Sequence, residues 1–399
     1  MGFYSFDIIN PLPKVFNETE AFQEILAFEK NITLSNKIFY DFRYINSRNK
    51  LIEENIKFVR AKKPDVSVVM LIYNQAYCLH KCIRSIQNQS LKNIEIIVVD
   101  DCSLDNSVEL IKEYQKEDPR IILIEHDTNY GAMKTRVDGI KKAKGKYITA
   151  IDGDDAFIHK DVLKNSFYVA QKGNIDIIEL QKYIYYGGKF RQKPYSFPNV
   201  NLNYIVHQPE LRTKFVFINK KYHFYLRNRQ VCGKVIKNEL YKKTFEYIGE
   251  EYTEDYTNYA EDTIFALSFF HLGNSYYLLK EMGYLYYFGQ KVKNFTKTKN
   301  KVCKVVNKIK RFDFFKYVKF LVEKTGNNSK EQILAYKELT LLNFDYHLNN
   351  TKLEERHYNI IFKIFDKALA FEFLNKGQKN HLMNLRSKVI DKKNKDDFV

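Results

Sequence analysis

Three carboxylates stand directly after an apolar run, at Asp152, Asp154 and Asp155. The run over residues 147–151 predicts a β-strand, in which side chains two positions apart share a face. Asp152 and Asp154 could therefore reach one cation, and burying like charges together is unfavourable unless a cation compensates them. The alternative is an acidic turn after an edge strand, because Asp and Gly are ordinary turn residues. The spacing indicates a site for a hard divalent cation, for which oxygen ligands are typical.

Two earlier apolar runs also end in polar residues. They cover residues 66–72 and 94–99, and helical spacing of apolar residues follows each of them. Alternation of strands and helices predicts an α/β fold with a mostly parallel sheet that has helices on both faces. Ligands of such sheets bind beyond the carboxyl ends of the strands. We therefore expect four further polar residues at the same edge, namely Tyr73, Asn74, Asp100 and Asp101.

Six short motifs, taken in order, resemble the nucleotide-binding half of the family 2 inverting glycosyltransferases, which have the GT-A fold. None of the motifs is specific by itself, but six in the right order and at the right distances are hard to obtain by chance. They lie at residues 73–74, 85–90, 99–105, 129–139, 143–148 and 152–155.

The resemblance continues downstream and covers residues 65–290 in total. Residues 231–236 resemble a segment that usually carries Trp where this chain has Cys232, and the chain contains no Trp at all. Residues 259–265 resemble the Glu-Asp motif of the family, and residues 285–288 resemble its last core strand. The missing Trp indicates a change of packing on the acceptor side.

This resemblance implies a metal-dependent transfer, with inversion, from a nucleotide-sugar to a hydroxyl group. Asp154 is the implied metal ligand, while Asp152 faces the ribose and reaches the metal through water. Asp155 either caps the following helix or orients Asp154. Mn²⁺ and Mg²⁺ both suit such oxygen ligands. The implied cofactor is one of these two ions, with a UDP-sugar as donor substrate.

Five residues are implied to bind the nucleotide in addition to Asp152, which faces the ribose. Tyr73 is expected to stack on or near the base, with Asn74 beside it, and Asp101 to accept a hydrogen bond from the uracil ring nitrogen. Lys134 and Arg136 stand where the family often places a cation near the diphosphate. Either cation could instead belong to a solvated helix face, since this region is rich in lysine.

Inversion requires a base on the side of the sugar opposite the leaving group. Asp262 is the implied base, because it follows Glu261 at the start of an apolar helical run over residues 264–270. A carboxylate at this position can also act as a helix cap or as a partner of the helix dipole.

Composition changes along the chain predict three regions. A helical N-terminal arm is expected over residues 1–62, and a glycosyltransferase domain over residues 63–290. That domain divides into a nucleotide-binding half, residues 63–180, and an acceptor half, residues 181–290. A basic α-helical C-terminal region is expected over residues 291–399, because residues 291–312 hold nine Lys or Arg and no Asp or Glu.

The formal net charge of +17 admits a different class of function, and the alternative is plain solvated surface charge in a chain rich in Lys, Asn, Ile, Tyr and Phe. A basic protein can bind nucleic acid or an anionic membrane surface, and here the glycosyltransferase-like domain would be noncatalytic. Nucleic acid is the less favoured partner, because it leaves the acidic strand ends unexplained. Nucleotidyl transfer also uses paired aspartates, but it needs a Gly-rich loop after the first strand, where residues 73–78 have no glycine. A glycan, a lipid-linked sugar and a protein are all candidate acceptors.

The expected location is the cytoplasm, with the cytoplasmic face of a membrane as a peripheral site. Five irregularly spaced cysteines are interpreted as unpaired, small buried residues in a reducing compartment. The start of the chain has no basic leader, and no run of 18 apolar residues occurs.

Overall fold

A computed structural model provides the structure of the chain. The predicted N-terminal arm, residues 1–62, and the basic stretch over residues 291–311 lie outside the part that it describes. The described residues are 63–186, 189–191, 205–211, 216–218, 224–226, 230–254, 257, 259–288, 312–324, 329–340, 343–351 and 353–397.

The core of the described chain is one mixed sheet of ten strands, which runs in the order β3-β2-β1-β4-β11-β6-β12-β5. Strand β7 is added beside β6 and strand β8 beside β12, while β9 and β10 form a separate antiparallel pair. The strands are β1 Val66–Ile72, β2 Ile94–Asp100, β3 Ile121–Glu125, β4 Tyr147–Asp152, β5 Ala156–Phe157, β6 Ile177–Tyr186, β7 Lys189–Arg191, β8 Val206–His207, β9 Val216–Ile218, β10 Phe224–Leu226, β11 Lys234–Lys237 and β12 Ser275–Phe288.

Helices connect these strands and follow the last of them. The helices are α1 Leu79–Gln87, α2 Ser107–Glu117, α3 Gly131–Lys142, α4 Val162–Lys172, α5 Asn238–Ile248, α6 Glu250–Thr253, α7 Glu261–Leu272, α8 Asp313–Lys324, α9 Ser329–Thr340, α10 Asn343–Asn350, α11 Glu355–Leu369 and α12 Lys376–Asp396.

The predicted mostly parallel sheet is confirmed. Strands β3, β2, β1 and β4 are parallel neighbours, and β6 and β12 are parallel to each other. Strand β11 lies antiparallel between β4 and β6. The register pairs Ile72 with Asp100 and Leu71 with Asp152. The first two strands and β4 therefore end at one edge, which we call the carboxyl edge.

Helix α3 lies unusually close to the sheet, because Gly139 faces it. A Cβ atom at Gly139 would stand 2.4 Å from Cγ1 of Val69 and 2.9 Å from Cγ2 of Val99. Such distances are far inside van der Waals contact, so only glycine fits here without movement of the helix. This contact sets the position of the other side chains on α3, including Arg136.

The predicted helical C-terminal region is present, and its helix α8 packs on helices α5 and α6. The hydroxyl of Tyr252 donates to Oε2 of Glu323 at 2.8 Å, and the hydroxyl of Tyr247 donates to the carbonyl of Lys324 at 3.0 Å. The ring of Tyr259 lies edge-on to that of Phe314, with ring centres 5.8 Å apart. The C-terminal helices thus contact helices α5 and α6 and the loop before α7.

The structure bears on two features of the sequence, the pairing of its cysteines and the character of its helices. Cys102 is disulfide-bonded, so the interpretation of all five cysteines as unpaired is wrong for this residue. Cys78, Cys82 and Cys232 are unpaired and buried, as expected. Within the described part of the chain, no helix has the length and apolar character needed to cross a membrane.

Candidate active site

The acidic turn after β4 is held against the end of β1. The N–H of Gly153 donates to the carbonyl of Leu71 at 3.1 Å, and the N–H of Asp155 donates to the carbonyl of Asp152 at 2.9 Å. A Cβ atom at Gly153 would stand 2.4 Å from Oε1 of Gln75. Because this Cβ atom would also stand 2.9 Å from Cγ2 of Ile72, any other residue between the two aspartates would have to displace both neighbours.

Asp152 and Asp154 repel each other at this turn. Burial and the charge of Asp152 raise the pKa of Asp154 to about 6. Burial also raises the pKa of Asp152, against the opposite effect of the Arg136 guanidinium, and the charge of Asp262 adds to the increase. Raised carboxyl pKa values in a cleft are typical of sites that a cation completes. The two carboxylates therefore influence each other, but Asp154 lies in the turn after β4 and not on the strand face that the sequence predicted.

Asp155 does not cap the following helix, which was one of its two expected roles. It is fully buried, and its carboxylate accepts from the hydroxyl of Tyr284 at 2.6 Å and from the N–H of Tyr287 at 2.9 Å. It therefore ties the acidic turn to β12 rather than capping α4, which begins seven positions later at Val162. Sequence reasoning did not find these partners of Asp155, because they are far apart from it along the chain.

Asn74 joins the loops that follow β1 and β2. Its backbone has a φ of 53°, in the left-handed region that Asn tolerates better than most residues. The N–H of Asn74 donates to Oγ of Ser103 at 2.9 Å, and its Oδ1 accepts from the N–H of Leu104 at 2.6 Å. The ring of Tyr73 is 40% exposed at the same edge, so it can receive a planar ligand.

Asp101 lies at the N-terminus of α3. Its carboxylate accepts from the N–H groups of Tyr130 at 2.7 Å and Gly131 at 2.9 Å, and its Oδ1 lies 3.2 Å from Nδ1 of His126. Burial lowers the pKa of His126, but hydrogen bonds to Asp101 and Asp138 raise it to about 9, so both ring nitrogens carry protons. A carboxylate has about four acceptor positions, which leaves Asp101 room for one further donor from a ligand.

Arg136 connects the two sides of the site. Its side chain is buried, and Nη2 lies 4.0 Å from Oδ1 of Asp152 and 3.9 Å from Oδ1 of Asp262. Its Nη1 donates to Sγ of Cys232 at 3.7 Å. The alternative of a solvated helix face is therefore wrong for Arg136.

Lys134 has different neighbours from Arg136. Its Nζ lies 2.7 Å from Oδ1 of Asp138 and 2.8 Å from Oε2 of Glu254. Residues two apart on a helix project about 200° apart, so Lys134 and Arg136 face different directions. The structure brings Arg136 to the acidic turn and places Lys134 in this separate ion-pair group.

Asp262 is held by the backbone of a distant segment. It is the second residue of α7, and its Oδ1 accepts from the N–H of Val231 at 3.0 Å. The residue before the helix, Ala260, has a φ of 56°. Burial and the charge of Asp262 raise the pKa of the adjacent Glu261 to about 8. Asp262 therefore lies across Arg136 from the acidic turn.

Several residues near the site were missed by sequence reasoning. The thiols of Cys78 and Cys82 donate to the carbonyls of Gly153 and Asp152, both at 3.6 Å. The ammonium group of Lys81 lies over the ring of Tyr287. The spacing of the two cysteines on one helix face was visible in the sequence, but nothing in it indicated their partners.

The fold and the carboxyl edge together define a GT-A-type α/β protein. Residues 67–245 match the family described as glycosyl transferase family 2. This segment is a family 2 glycosyltransferase domain, as the motifs of the sequence indicated.

Known proteins agree with this assignment. The uncharacterized glycosyltransferase EpsJ of Bacillus subtilis is 30% identical over 231 residues, which are 56% of this chain and 61% of EpsJ. The chain thus spans less than two thirds of that relative. Crystal structures of S. aureus TarS 1–349 in complex with UDP and with UDP-GlcNAc each give a TM-score of 0.53 over 82% of this chain and 88% or 89% of TarS 1–349, with 18% and 20% identity. At these identities the likeness concerns the fold.

Proposed function

We propose that this chain is an inverting glycosyltransferase, which moves a sugar from a nucleotide-sugar to a hydroxyl of a glycan, lipid-linked or protein acceptor. One observation carries the proposal: a single nitrogen of buried Arg136 lies within 4.0 Å of both Asp152 and Asp262. This proximity supports a single site that holds a carboxylate of the proposed donor side and a carboxylate proposed as the base. The complexes of TarS with UDP and UDP-GlcNAc support a UDP-sugar as donor.

In this reaction Asp262 takes the proton of the acceptor hydroxyl as the oxygen attacks the anomeric carbon. The new bond joins that carbon to the acceptor oxygen, and the bond to the diphosphate oxygen breaks. The electron pair of the broken bond stays on the nucleoside diphosphate. Arg136 lies where its positive charge can stabilise this growing negative charge. Neutral Glu261 beside Asp262 limits repulsion at the base.

Asp154 and Asp152 fit a divalent cation as ligands. Both supply hard oxygen atoms, and burial, with a smaller effect of neighbouring carboxylates, raises their pKa values, which a bound cation would oppose. No group of three or more His, Cys, Asp or Glu suited to a metal occurs among the described residues. Two carboxylates are sufficient here, because Mg²⁺ is commonly held by one or two of them together with substrate phosphates. When bound, Mg²⁺ or Mn²⁺ would neutralise charge on the leaving diphosphate.

The nucleotide would lie along the carboxyl edge. Tyr73 is proposed to stack on the base, Asn74 to shape the loop beneath it, and Asp101 to use its remaining acceptor position for the ring nitrogen. Lys134 would reach the diphosphate only after leaving its ion pairs. The three-region division of the chain, its cytoplasmic location and contact of the basic C-terminal region with an anionic membrane also remain proposals.

Replacing the base tests the proposal directly. We expect Asp262→Asn to lower turnover of UDP-sugar by at least about 100-fold, because the general base is lost. UDP affinity should stay unchanged in calorimetric titration, with and without Mn²⁺. Asp366→Asn is a matched control, since Asp366 is an exposed helix residue paired with Arg386 at 3.2 Å.

Two results would contradict the proposal. Wild-type turnover in Asp262→Asn would remove Asp262 as the base. Binding of single-stranded RNA with no response to UDP or GDP would move the chain to the class of basic binding proteins.

A further inference from the structure

Two buried lysines donate hydrogen bonds to the turn over residues 230–233, which contacts Asp262. Lys182 of β6 and Lys234 of β11 are 4% and 1% exposed. The Nζ atom of Lys234 donates to the carbonyl of Gln230. The Nζ atom of Lys182 donates to the carbonyl of Cys232 at 2.6 Å and to Oε1 of Gln230 at 3.0 Å. The carbonyls on both sides of Val231 are therefore held by ammonium groups.

The peptide group between Gln230 and Val231 joins a lysine to Asp262. Its carbonyl is bound by Lys234, and its N–H donates to Oδ1 of Asp262 at 3.0 Å. In a trans peptide the C=O and N–H bonds lie in one plane and point in opposite directions. Fixing the carbonyl therefore fixes the direction of the N–H. Lys234 and Asp262 are on opposite sides of a single rigid unit.

The turn has little freedom to adopt another arrangement. Gly233 has a φ of 76°, and a Cβ atom there would stand 2.4 Å from Cε of Lys182. Lys234 is only partly compensated, with its Nζ 3.6 Å from Oε2 of Glu179, which also accepts from Tyr276 at 3.0 Å. Burial lowers the pKa of Lys234 to about 8 and the charge of Glu179 opposes this, so the ammonium form predominates at neutral pH.

Stability alone does not account for two lysines at this place. A buried ammonium group is costly, and apolar side chains of similar size often serve a protein interior equally well. Both lysines make their short contacts with backbone carbonyls of one turn. The benefit therefore lies in the geometry of that turn, which meets the proposed site through two described contacts. The N–H of Val231 donates to Asp262, and Sγ of Cys232 accepts from Arg136.

We propose that Lys234 is a positioning residue for the base: through the Gln230–Val231 peptide group it orients the N–H that holds the Asp262 carboxylate. This inference rests on the proposed function, because it assumes that Asp262 is the base. Lys234 does not contact substrate in this arrangement. Its removal leaves the carboxylate present but free to rotate away from the acceptor hydroxyl.

The test is Lys234→Met in the full chain, with kcat for a UDP-sugar and the Kd for UDP measured together. We expect kcat to fall about 10-fold or more, because small displacements of a reacting group are costly. The Kd for UDP should change by less than about twofold, since nucleotide contacts are elsewhere. If this variant does not fold, Glu179→Gln combined with Lys234→Met removes the uncompensated carboxylate and is interpreted in the same way.

Lys182→Met is the matched control, because it removes an equally buried ammonium group from the neighbouring carbonyl. The carbonyl that Lys182 binds belongs to the peptide group between Cys232 and Gly233, which does not include the N–H of Val231. We therefore expect a clearly smaller loss of kcat. Equal losses in both variants, or a wild-type kcat in Lys234→Met, would overturn the positioning role. If Asp262→Asn is inactive and Lys234→Met is normal, only this inference fails. Full activity in Asp262→Asn would remove the proposed function itself.

Discussion

The donor side and the base side of the site are built in different ways. Asp152 and Asp154 follow a buried strand, and the backbone bond between Gly153 and Leu71 sets their position. Asp262 begins a helix, and its orientation depends on Val231, a residue 31 positions away along the chain. A strand end receives its geometry from the sheet, whereas a side chain on a helix end needs tertiary contacts to orient it.

Arg136 is the link between these two sides. Its position depends on α3, which approaches the sheet at Gly139, and its guanidinium reaches Asp152 as well as Asp262. The contrast therefore predicts distinct effects for changes on each side. Donor-side changes should alter nucleotide binding, while base-side changes should alter turnover at constant affinity.

Loss of the proposed metal ligand should have the largest effect. We expect Asp154→Ala to weaken Mn²⁺-dependent UDP binding by about 100-fold, because a carboxylate that holds the cation against the diphosphate is removed. Calorimetric titration with Mn²⁺ and with a chelator separates the metal-dependent part. Asp345→Ala, an exposed residue paired with Lys388, serves as control. Unaltered Mn²⁺ dependence would remove Asp154 from the proposed ligands.

Displacement of α3 should have an effect of intermediate size. It concerns both sides of the site, because Arg136 of α3 lies near Asp152 as well as Asp262. Gly139→Ala is expected to lower the free energy of unfolding by about 1–3 kcal/mol, because the added methyl group overlaps Val69. Urea unfolding measures the change, and Val69→Ala in the same chain should recover part of it. Gly377→Ala is the control, since its Cβ would stand 3.4 Å from its nearest neighbour. Equal stability of the two alanine variants would contradict the close approach of α3.

The smallest effect concerns the pH dependence of the donor side. The raised pKa of Asp154, about 6, means that the folded chain binds a proton more tightly than the unfolded chain. Its contribution to stability is therefore present below about pH 4 and is lost as pH rises through 6. In chelator, Asp154→Asn should raise the free energy of unfolding at pH 7 by about 1 kcal/mol, allowing for solvent screening.

That gain should shrink as pH falls toward 4, because the wild-type carboxyl then becomes neutral as well. Thermal unfolding at pH 7 and pH 4.5 checks this difference. Asp366→Asn should show no comparable change between the two values. A gain that is equal at both pH values would indicate that repulsion at the acidic turn is not its cause.

Much of the donor side could be predicted from local sequence. The strands over 66–72 and 94–99, and the aspartates after β4, were expected from apolar runs and their endings, and these strands are parallel neighbours. Strand alternation was the wrong reason for pairing Asp152 with Asp154, because β4 ends at Asp152 and Asp154 lies in the turn after it. Such features depend on backbone geometry over a few residues, which the order of side chains reveals.

The base side was less accessible to sequence reasoning. Motif resemblance pointed to Asp262, but nothing indicated that Lys182 and Lys234 bind backbone carbonyls of the turn that holds it. A lysine inside a strand pattern is most simply expected at the surface. The partners of Asp155 in β12 were missed for the same reason, since each contact joins distant parts of the chain.

By itself, the sequence determined the alternation of strands and helices, the acidic strand end and the motifs of the family 2 domain. Those properties follow from hydrophobic periodicity and from residue types at short spacing. Only the tertiary structure decided which cation joins the two carboxylate groups, and it selected Arg136 over Lys134. The physical reason is that side-chain direction on a helix and register across a sheet are set by packing, which brings together residues that no local pattern connects.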